Sequence, residues 1–464
     1  MAIQSLVIDD EPHIRAFVSE VLQGEGWEVT EADSAENAFQ LLREREWQVV
    51  FCDVLLGGDD GFAVLRRFKE ELPQAKVVLM TGHGSATGAL DATAFGAYDY
   101  ILKPFGVDAL KSLSRDLAQK LAKTPHVRLA SKRKRGNALE AEIELVGRSS
   151  SFIEIMKQVG RVATTNLSVF LVGESGTGKG VVASALHRRS QRSEKPFVAV
   201  NCGAIPGDLI ESELFGHLRG SFTGADRDRI GLWAEADGGT IFLDEVTETT
   251  PSFQVKLLRA VQQGEIRKVG SNQTEKIDVR VIAASNRNVE EEVAAGRFRQ
   301  DLFYRLNAVS ITLPPLRERR EDILPLAKAF AERAYSLNPS LTFSGEALQL
   351  FQKYPWPGNI RELENAIVRA ATMSDGTIRP QDLPEQVRNY QAQKVSPTET
   401  ETRVIREWMS LAEMESGYVA RVLRHTKGNK VAASRLLEVD RKTLDRMIKR
   451  HNISLETLVR QDEA

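Results

Sequence analysis

Short apolar runs alternate with amphipathic stretches over the first 120 residues. The runs are SLVID, WEVTEA, WQVVFCD, KVVLM and YDYIL, and stretches of helical period such as IRAFVSEVLQ and NAFQLLRER separate them. Continuous apolar strands alternating with helices predict a parallel sheet covered on both faces. Pro125 and the basic run SKRKRGN at 131–137 break the pattern, so residues 122–143 read as a linker after a first domain at 1–121. A second α/β block follows, with strands SVFLVG, FVAVN, GTIFLDEV and VRVIAASN. From about Leu316 the pattern turns helical, in REDILPLAKAFAERA, GEALQLFQKY and RELENAIVRAATM. That change predicts a helical lid on an α/β core, together spanning 144–386. The polar segment 387–402 reads as a second linker, and 403–464 as helical throughout. The expected fold class is α/β multidomain with an all-α C-terminal domain.

Composition narrows the setting. A chain of 464 residues holds roughly three domains at about 150 residues each. The net charge of −2 selects no partner, so local charge must. Cys52 and Cys202 each follow an apolar run and read as buried free thiols, with no disulfide framework, as a reducing cytosol would leave them. No apolar run reaches the ~18 residues of a membrane span, and MAIQSLVIDDEP lacks the basic start of a secretory signal. A cytoplasmic protein without a membrane partner is expected.

The middle block carries phosphate chemistry. GESGTGKG at 173–180 follows the strand SVFLVG and precedes a helix, which is the context a phosphate loop requires. Gly173, Gly176 and Gly178 allow backbone N–H groups to face phosphate oxygens, and Lys179 would reach the β- and γ-phosphates. Glu174, Ser175 and Thr177 complete the loop. Gly180 stands where a magnesium-binding Ser or Thr is usual, so the metal relies on Asp244, the phosphates and water. GTIFLDEV ends a strand in Asp244 and Glu245, a metal-binding acid followed by a base that orients water.

With these motifs the block resembles the AAA+ domain of NtrC-type activators of sigma-54 RNA polymerase. The likeness runs through NCGAI, ESELFGHLRGSFTGA, ADGGTIFLDEV, FRQDLFYRLN, LPPLRER and WPGNIRELENAI. In that family the residue after the lysine is commonly Glu, so the missing hydroxyl is expected and Gly180 still departs. The resemblance implies that Asn201 restrains Glu245 until nucleotide is read, that Asn286 is a sensor beside the γ-phosphate, and that Arg361 contacts nucleotide from the lid. It implies that Arg299 and Arg305 are arginine fingers acting on a neighbouring subunit. Such fingers typically contribute about 10³–10⁵-fold, which makes a hexameric or heptameric ring a condition for activity. Residues 220–225 (Gly220, Ser221, Phe222, Thr223, Gly224, Ala225) form an aromatic-tipped loop that in the family grips sigma-54; Ser221 replaces the usual Ala. A DNA-binding regulator with a weak or vestigial ATPase is the alternative, and Gly180 is its main support.

The first block places Asp9, Asp10, Asp53, Thr81 and Lys103 at strand carboxyl ends, where the crevice of an open parallel sheet lies. Three carboxylates suit Mg²⁺. Asp53 can attack a phosphoryl donor, and Thr81 and Lys103 can hold the added oxygens. This resembles a response-regulator receiver of flavodoxin-like fold. The likeness implies phosphorylation of Asp53 by a cognate sensor histidine kinase. It also implies metal on Asp10, Asp53 and the Leu55 carbonyl with Asp9 assisting, Tyr100 as switch aromatic, and a cis Lys103–Pro104 peptide. Gly57 stands where proline is common.

Residues 417–450 hold ten Lys/Arg against three acids, a local footprint for nucleic acid in a near-neutral protein. NKVAASRLLEVDRKTLDRMIKRH reads as helix, turn, helix, with Ala432, Ala433, Leu436, Leu437, Val439, Leu444 and Ile448 as its core. Asp440 is a good N-cap. The second helix would bring Arg441, Lys442, Thr443 and Arg446 to double-stranded DNA, with Lys430, Lys449 and Arg450 beside them. The segment resembles the Fis-type helix-turn-helix of NtrC-type activators, with Glu438 at a turn position usually held by Gly. Asp445 on the recognition helix would accept from a cytosine amino group or disfavour phosphate. The helices before it, VIREWMSLAEM and GYVARVLRH, are expected to dimerise. The resemblance implies ATP and Mg²⁺ as cofactors and, as partners, sigma-54 holoenzyme, enhancer DNA and further copies of the chain.

Overall fold

The computed structural model describes residues 2–42, 45–57, 59–82, 84–122, 145–222, 225–334, 341–374, 376–390, 411–426, 429–437 and 439–451. Both expected linkers fall largely outside them, as do Thr223, Gly224 and Glu438. The chain forms two compact units, residues 1–390 and 391–464.

The first unit opens with strands β1 (Gln4–Ile8), β2 (Glu28–Ala32), β3 (Val49–Asp53), β4 (Lys76–Thr81) and β5 (Asp99–Leu102). They pair in parallel in the order β2-β1-β3-β4-β5, a flavodoxin-like sheet. Helices α1 (Pro12–Gly24), α2 (Ala35–Leu42), α3 (Gly61–Glu71), α4 (Ala86–Ala94) and α5 (Val107–Ala122) cover both faces. That is why β3 and β4 are apolar almost throughout and buried. A second parallel sheet joins β6 (Val169–Val172), β7 (Phe197–Asn201), β8 (Thr240–Asp244), β9 (Arg280–Ser285) and β10 (Val309–Thr312) in the order β10-β6-β9-β8-β7. Helix α6 (Ser150–Ala163) precedes this sheet, and α7 (Lys179–Arg188) follows the phosphate loop.

The lid packs helices Ile323–Ala334, Gly345–Lys353 and Asn359–Met373 around buried Trp356, Phe351 and Ile367. It runs past the expected linker start at 387: Val387 is buried, and the Tyr390 ring sits 5.2 Å from that of Tyr354.

The two sheet domains are not separate cores. Helix α4 lies directly on α6, and Ala86, Ala89 and Leu90 join Phe152, Ile153, Met156 and Val159 in one apolar cluster. Polar contacts frame it. Lys157 Nζ, almost fully buried, reaches Asp99 Oδ1 at 2.8 Å, and Arg189 Nε reaches Asp91 Oδ1 at 2.6 Å. Ala86 N donates to Gly147 O at 3.0 Å. The helices meet so closely at Gly160 that a Cβ there would lie 1.9 Å from Thr93 Oγ1.

The second unit holds helices Leu411–His425, Lys430–Leu436 and Arg441–Arg450. Two sequence expectations change here. The boundary expected between two helices near residues 415–416 is absent, because one helix runs through Gly417 to His425. Leu436, expected in the core, is 57% exposed, while Val419 and Leu423 from the first helix fill the space against Ala433, Leu444 and Ile448.

Candidate functional site

Three sites emerge, two of them in the first unit. At the carboxyl ends of β1 and β3, ligand oxygens of Asp9, Asp10 and Asp53 all lie within 4.8 Å of one another. An all-carboxylate set of this size fits a hard divalent cation such as Mg²⁺. Asp9 and Asp53 are buried and Asp10 is exposed, so the cluster opens on one side. Lys103 Nζ, from the end of β5, stands 2.7 Å from Asp9 Oδ2 and 2.8 Å from Asp53 Oδ2. Burial works against the Lys103 charge, but its hydrogen bonds to Asp53 and Asp9 outweigh that and raise its pKa. Burial also raises the pKa of Asp9, with Lys103 offsetting part of the effect. Thr81 is buried at the end of β4. Tyr100 is buried too, its ring turned inward with the hydroxyl against Thr81 and the Ser85 backbone. The Lys103–Pro104 peptide is cis. Gly57 has φ +56°, a conformation closed to proline, so the loop after Asp53 takes a path that the usual residue could not.

The phosphate loop occupies the β6–α7 turn. Gly176 and Gly178 have φ of +78° and +99°, as the loop requires. Lys179 is almost fully buried, and its Nζ donates to the carbonyls of Gly173 (2.8 Å) and Glu174 (3.0 Å). Burial lowers its pKa, against the pull of Asp244 and Glu245 at the end of β8. A side chain at Gly180 would meet Phe242 at an ordinary 3.7 Å, so nothing steric dictates the glycine.

The lid grips this loop through residues that sequence reasoning missed. Glu174 takes a two-pronged pair from Arg317 (2.7 and 2.8 Å), which lowers its pKa. Arg319 is fully buried and donates Nη2 to Thr177 O at 2.7 Å. Asn359, left-handed at φ +54°, gives Nδ2 to Glu174 Oε2 (3.1 Å) and Ser175 O (3.0 Å) and accepts from Leu316 N (2.8 Å). Arg361 Nη1 reaches Ser175 Oγ at 3.2 Å, so the lid arginine does stand at the loop. LPPLRER and PGNIREL contain these residues, but no local pattern links them to a turn some 140–185 positions earlier.

Asn201 pairs with Asp244 across the β7–β8 register. Among the described residues no hydrogen bond joins it to Glu245; its Oδ1 accepts from Ala204 N at 3.1 Å. Glu245 has φ +55°. Asn286 is exposed just past β9. Arg299 is held by Asp301 at 2.7 and 3.0 Å, and Arg305 points to the carbonyls of Val261 and Gln262. Both are exposed, and neither shares a hydrogen bond with its own phosphate loop among the described residues. At the loop expected to grip a partner, Phe222 is 38% exposed and meets the His217 ring edge-on at 5.0 Å. Ser221 packs against Gly270, with its hydroxyl buried and without a hydrogen-bond partner among the described residues.

The third site is the second unit's helix pair. Asp440 Oδ1 accepts from Lys442 N (2.8 Å) and Thr443 N (2.9 Å), the expected N-cap. Asp445 accepts from Lys430 Nζ at 2.8 Å, which ties one expected DNA cation to the recognition helix. Arg441, Lys442, Arg446, Lys449 and Arg450 are exposed, or nearly so, along one helix.

Four families of known proteins match stretches of the chain. Residues 5–115 match the response regulator receiver domain, 145–312 the sigma-54 interaction domain, 317–400 the AAA+ ATPase lid domain, and 410–451 the Fis family of bacterial regulatory proteins. The chain is 41% identical over 444 residues to the transcriptional regulatory protein ZraR of Klebsiella oxytoca, covering 95% of this chain and 97% of the relative. It is 37% identical over 467 residues to the DNA-binding transcriptional regulator NtrC of Escherichia coli K12, covering 96% and 97%. Among solved structures, NtrX from Brucella abortus in complex with ADP is 30% identical, with 98% of this chain and 100% of that one covered, at a TM-score of 0.50.

Proposed function

The chain belongs to the NtrC-type, sigma-54-dependent response regulators, and from that membership we propose a two-component activator whose ATPase ring remodels promoter-bound sigma-54 polymerase. The coarse function is set by the family: a response regulator that activates sigma-54 transcription through an ATP-binding AAA+ ATPase domain and carries a Fis-type DNA-binding domain.

The finer reading starts at Asp53. Its carboxylate attacks the phosphorus of a histidine kinase's phosphoryl group, and the kinase histidine leaves. Mg²⁺ bound at Asp10, Asp53 and the Leu55 carbonyl, with Asp9 assisting, would neutralise the transferred charge. Lys103 and Thr81 then hold the added oxygens, and Tyr100 responds to the engaged Thr81. In the ATPase, Lys179 leaves its own loop carbonyls for the β- and γ-phosphates. Asp244 would hold the metal, which would neutralise phosphate charge; Glu245 orients the attacking water, and Asn201, Asn286 and Arg361 read the nucleotide. The observation that carries the ring is that Arg299 and Arg305 are exposed and bonded away from their own phosphate loop. A neighbouring copy supplies them, closing a hexamer or heptamer in the cytoplasm. Phe222 and its loop present the sigma-54 contact, and the C-terminal helices place dimers on enhancer sites.

Purified protein with ATP should drive open-complex formation only with sigma-54 holoenzyme; activation of the housekeeping holoenzyme would overturn the reading. Phe222→Ala should keep ATPase activity and DNA binding yet lose activation. The alternative, a DNA-binding regulator with a vestigial ATPase, rests on Gly180; unchanged transcription in cells carrying Lys179→Ala would favour it.

A further inference from the structure

We propose that a cleft between the receiver and the ATPase domain, at the end of the first sheet opposite Asp53, binds a small anion through a phosphate group, and that occupancy fastens the receiver to the ATPase domain. The cleft has a volume of about 490 Å³, within the roughly 300–1,000 Å³ typical of small-molecule sites. The fold delivers four cations to it. Lys76 is the first residue of β4, and Lys69, Lys120 and Arg161 stand in the last turns of α3, α5 and α6. The three lysines belong to the receiver, whereas Arg161 belongs to the ATPase domain.

Two acids share the lining, and both are engaged. Asp99 Oδ1 accepts from Lys157 Nζ at 2.8 Å and from Tyr100 N at 2.7 Å. Asp116 Oδ2 accepts from the Tyr98 hydroxyl at 2.5 Å and from Lys120 Nζ at 2.9 Å. Four cations against two carboxylates leave an excess of two positive charges along the lining. Lys76 and Arg161 have no ion pair among the described residues. The Nζ atoms of Lys76 and Lys120 lie 5.9 and 5.0 Å from the centre of the same Tyr98 ring. Like charges gathered in a cleft focus their potential and draw in a counter-ion. A phosphate monoester carries about 1.5–2 negative charges at pH 7, which matches that excess. The guanidinium fork of Arg161 suits two phosphate oxygens, and the lysines act as point charges. A ligand held by Arg161 on one side and Lys76 on the other touches both domains. It therefore binds the docked form best and shifts docking by that difference in affinity.

The test is titration of the full chain with inorganic phosphate and with glycerol 3-phosphate, read by hydrogen exchange. At least one probe should slow exchange at the start of β4, in the last turn of α6 and in α4. Arg161→Ala and Lys76→Gln should each raise the apparent Kd for that protection about tenfold or more, because each removes a charge-assisted contact. Both substitutions leave the phosphate loop and Asp53 intact, so phosphate bound at those places would not respond to them. Arg161→Lys should lose less than Arg161→Ala, since it keeps the charge and gives up only the fork. Tighter binding of glycerol 3-phosphate identifies a phosphorylated metabolite as the ligand, and equal or tighter binding of phosphate identifies the free ion; either result supports the site. Protection that neither Arg161→Ala nor Lys76→Gln weakens, or no protection from either probe in the millimolar range, overturns it. Slower exchange at β4 and α6 without any change in α4 would show that the ligand does not fasten the two domains, and the proposal fails.

Discussion

Gly160→Ala tests whether the receiver's seat on the ATPase domain is as tight as the geometry says. Gly160 sits inside α6, where glycine costs a helix about 0.8–1.0 kcal/mol relative to alanine. The substitution should therefore favour the helix itself. The seam reverses the sign. A Cβ there would lie 1.9 Å from Thr93 Oγ1 and 2.6 Å from the Leu90 carbonyl oxygen. Thr93 cannot turn away cheaply, since its hydroxyl bonds the Ala89 and Leu90 carbonyls at 2.9 and 3.0 Å, and the Leu90 oxygen is backbone. Helix α4 must move off α6, straining the Lys157–Asp99 and Arg189–Asp91 pairs that frame the contact. Overpacking of this kind costs about 1–3 kcal/mol, and that range shifts a docked-to-undocked ratio by about 5–150-fold. Hydrogen exchange of the full chain reads it directly: amides of α4 and of the facing turns of α6 should exchange faster, while the lid and the phosphate loop stay protected. If docking restrains ring assembly, ATPase activity should also appear at lower protein concentration without phosphorylation of Asp53. Unchanged exchange in α4 would refute the argument, because a methyl tolerated at that distance means the helices are not seated as described.

Further outcomes follow from single contacts. Asn359→Ala removes two hydrogen bonds between lid and phosphate loop and a third within the lid, and puts a β-carbon residue without a side-chain amide at φ +54°. At about 1 kcal/mol net per bond, KM for ATP should rise at least tenfold; Asn359→Gly should hurt less, and equal effects would discount the backbone contribution. Asp445→Asn should free Lys430 for phosphate, tightening DNA binding and steepening the salt dependence by about one counterion; an unchanged slope in a salt titration would show that Lys430 contributes nothing when released. Burial pushes the Cys202 thiol up to about 12 and the Cys52 thiol well above its ordinary value. Both should resist alkylation near pH 8 until the chain is unfolded, and labelling of either in the native protein would contradict the packing.

What the sequence made legible was whatever its chemistry keeps local. Alternating apolar strands announced both parallel sheets, and the phosphate loop, the strand-end acids and the Asp440 cap each lie within a few residues of the elements that present them. Tertiary partners were another matter. Asp445 read as a base contact or a repelling charge because Lys430, fifteen residues earlier, has no periodic relation to it; only the angle between two helices brings them to 2.8 Å. Leu436 read as core from its apolar neighbours, but Val419 and Leu423 arrive from the preceding helix and take the space. The α4–α6 seam was hidden for a further reason. Apolar residues on α4 and α6 are what a helix needs merely to cover its own sheet. Both helices do that, yet each also offers a face to the other, and small residues carry it: Ala86, Ala89, Thr93 and Gly160. Small residues give weak hydrophobic signals while allowing the closest helix contact, so the seam that joins the receiver to the motor is the part of this protein least visible in its own pattern. Its polar frame was equally silent, since the Lys157–Asp99 and Arg189–Asp91 pairs join residues 58 and 98 positions apart in the chain.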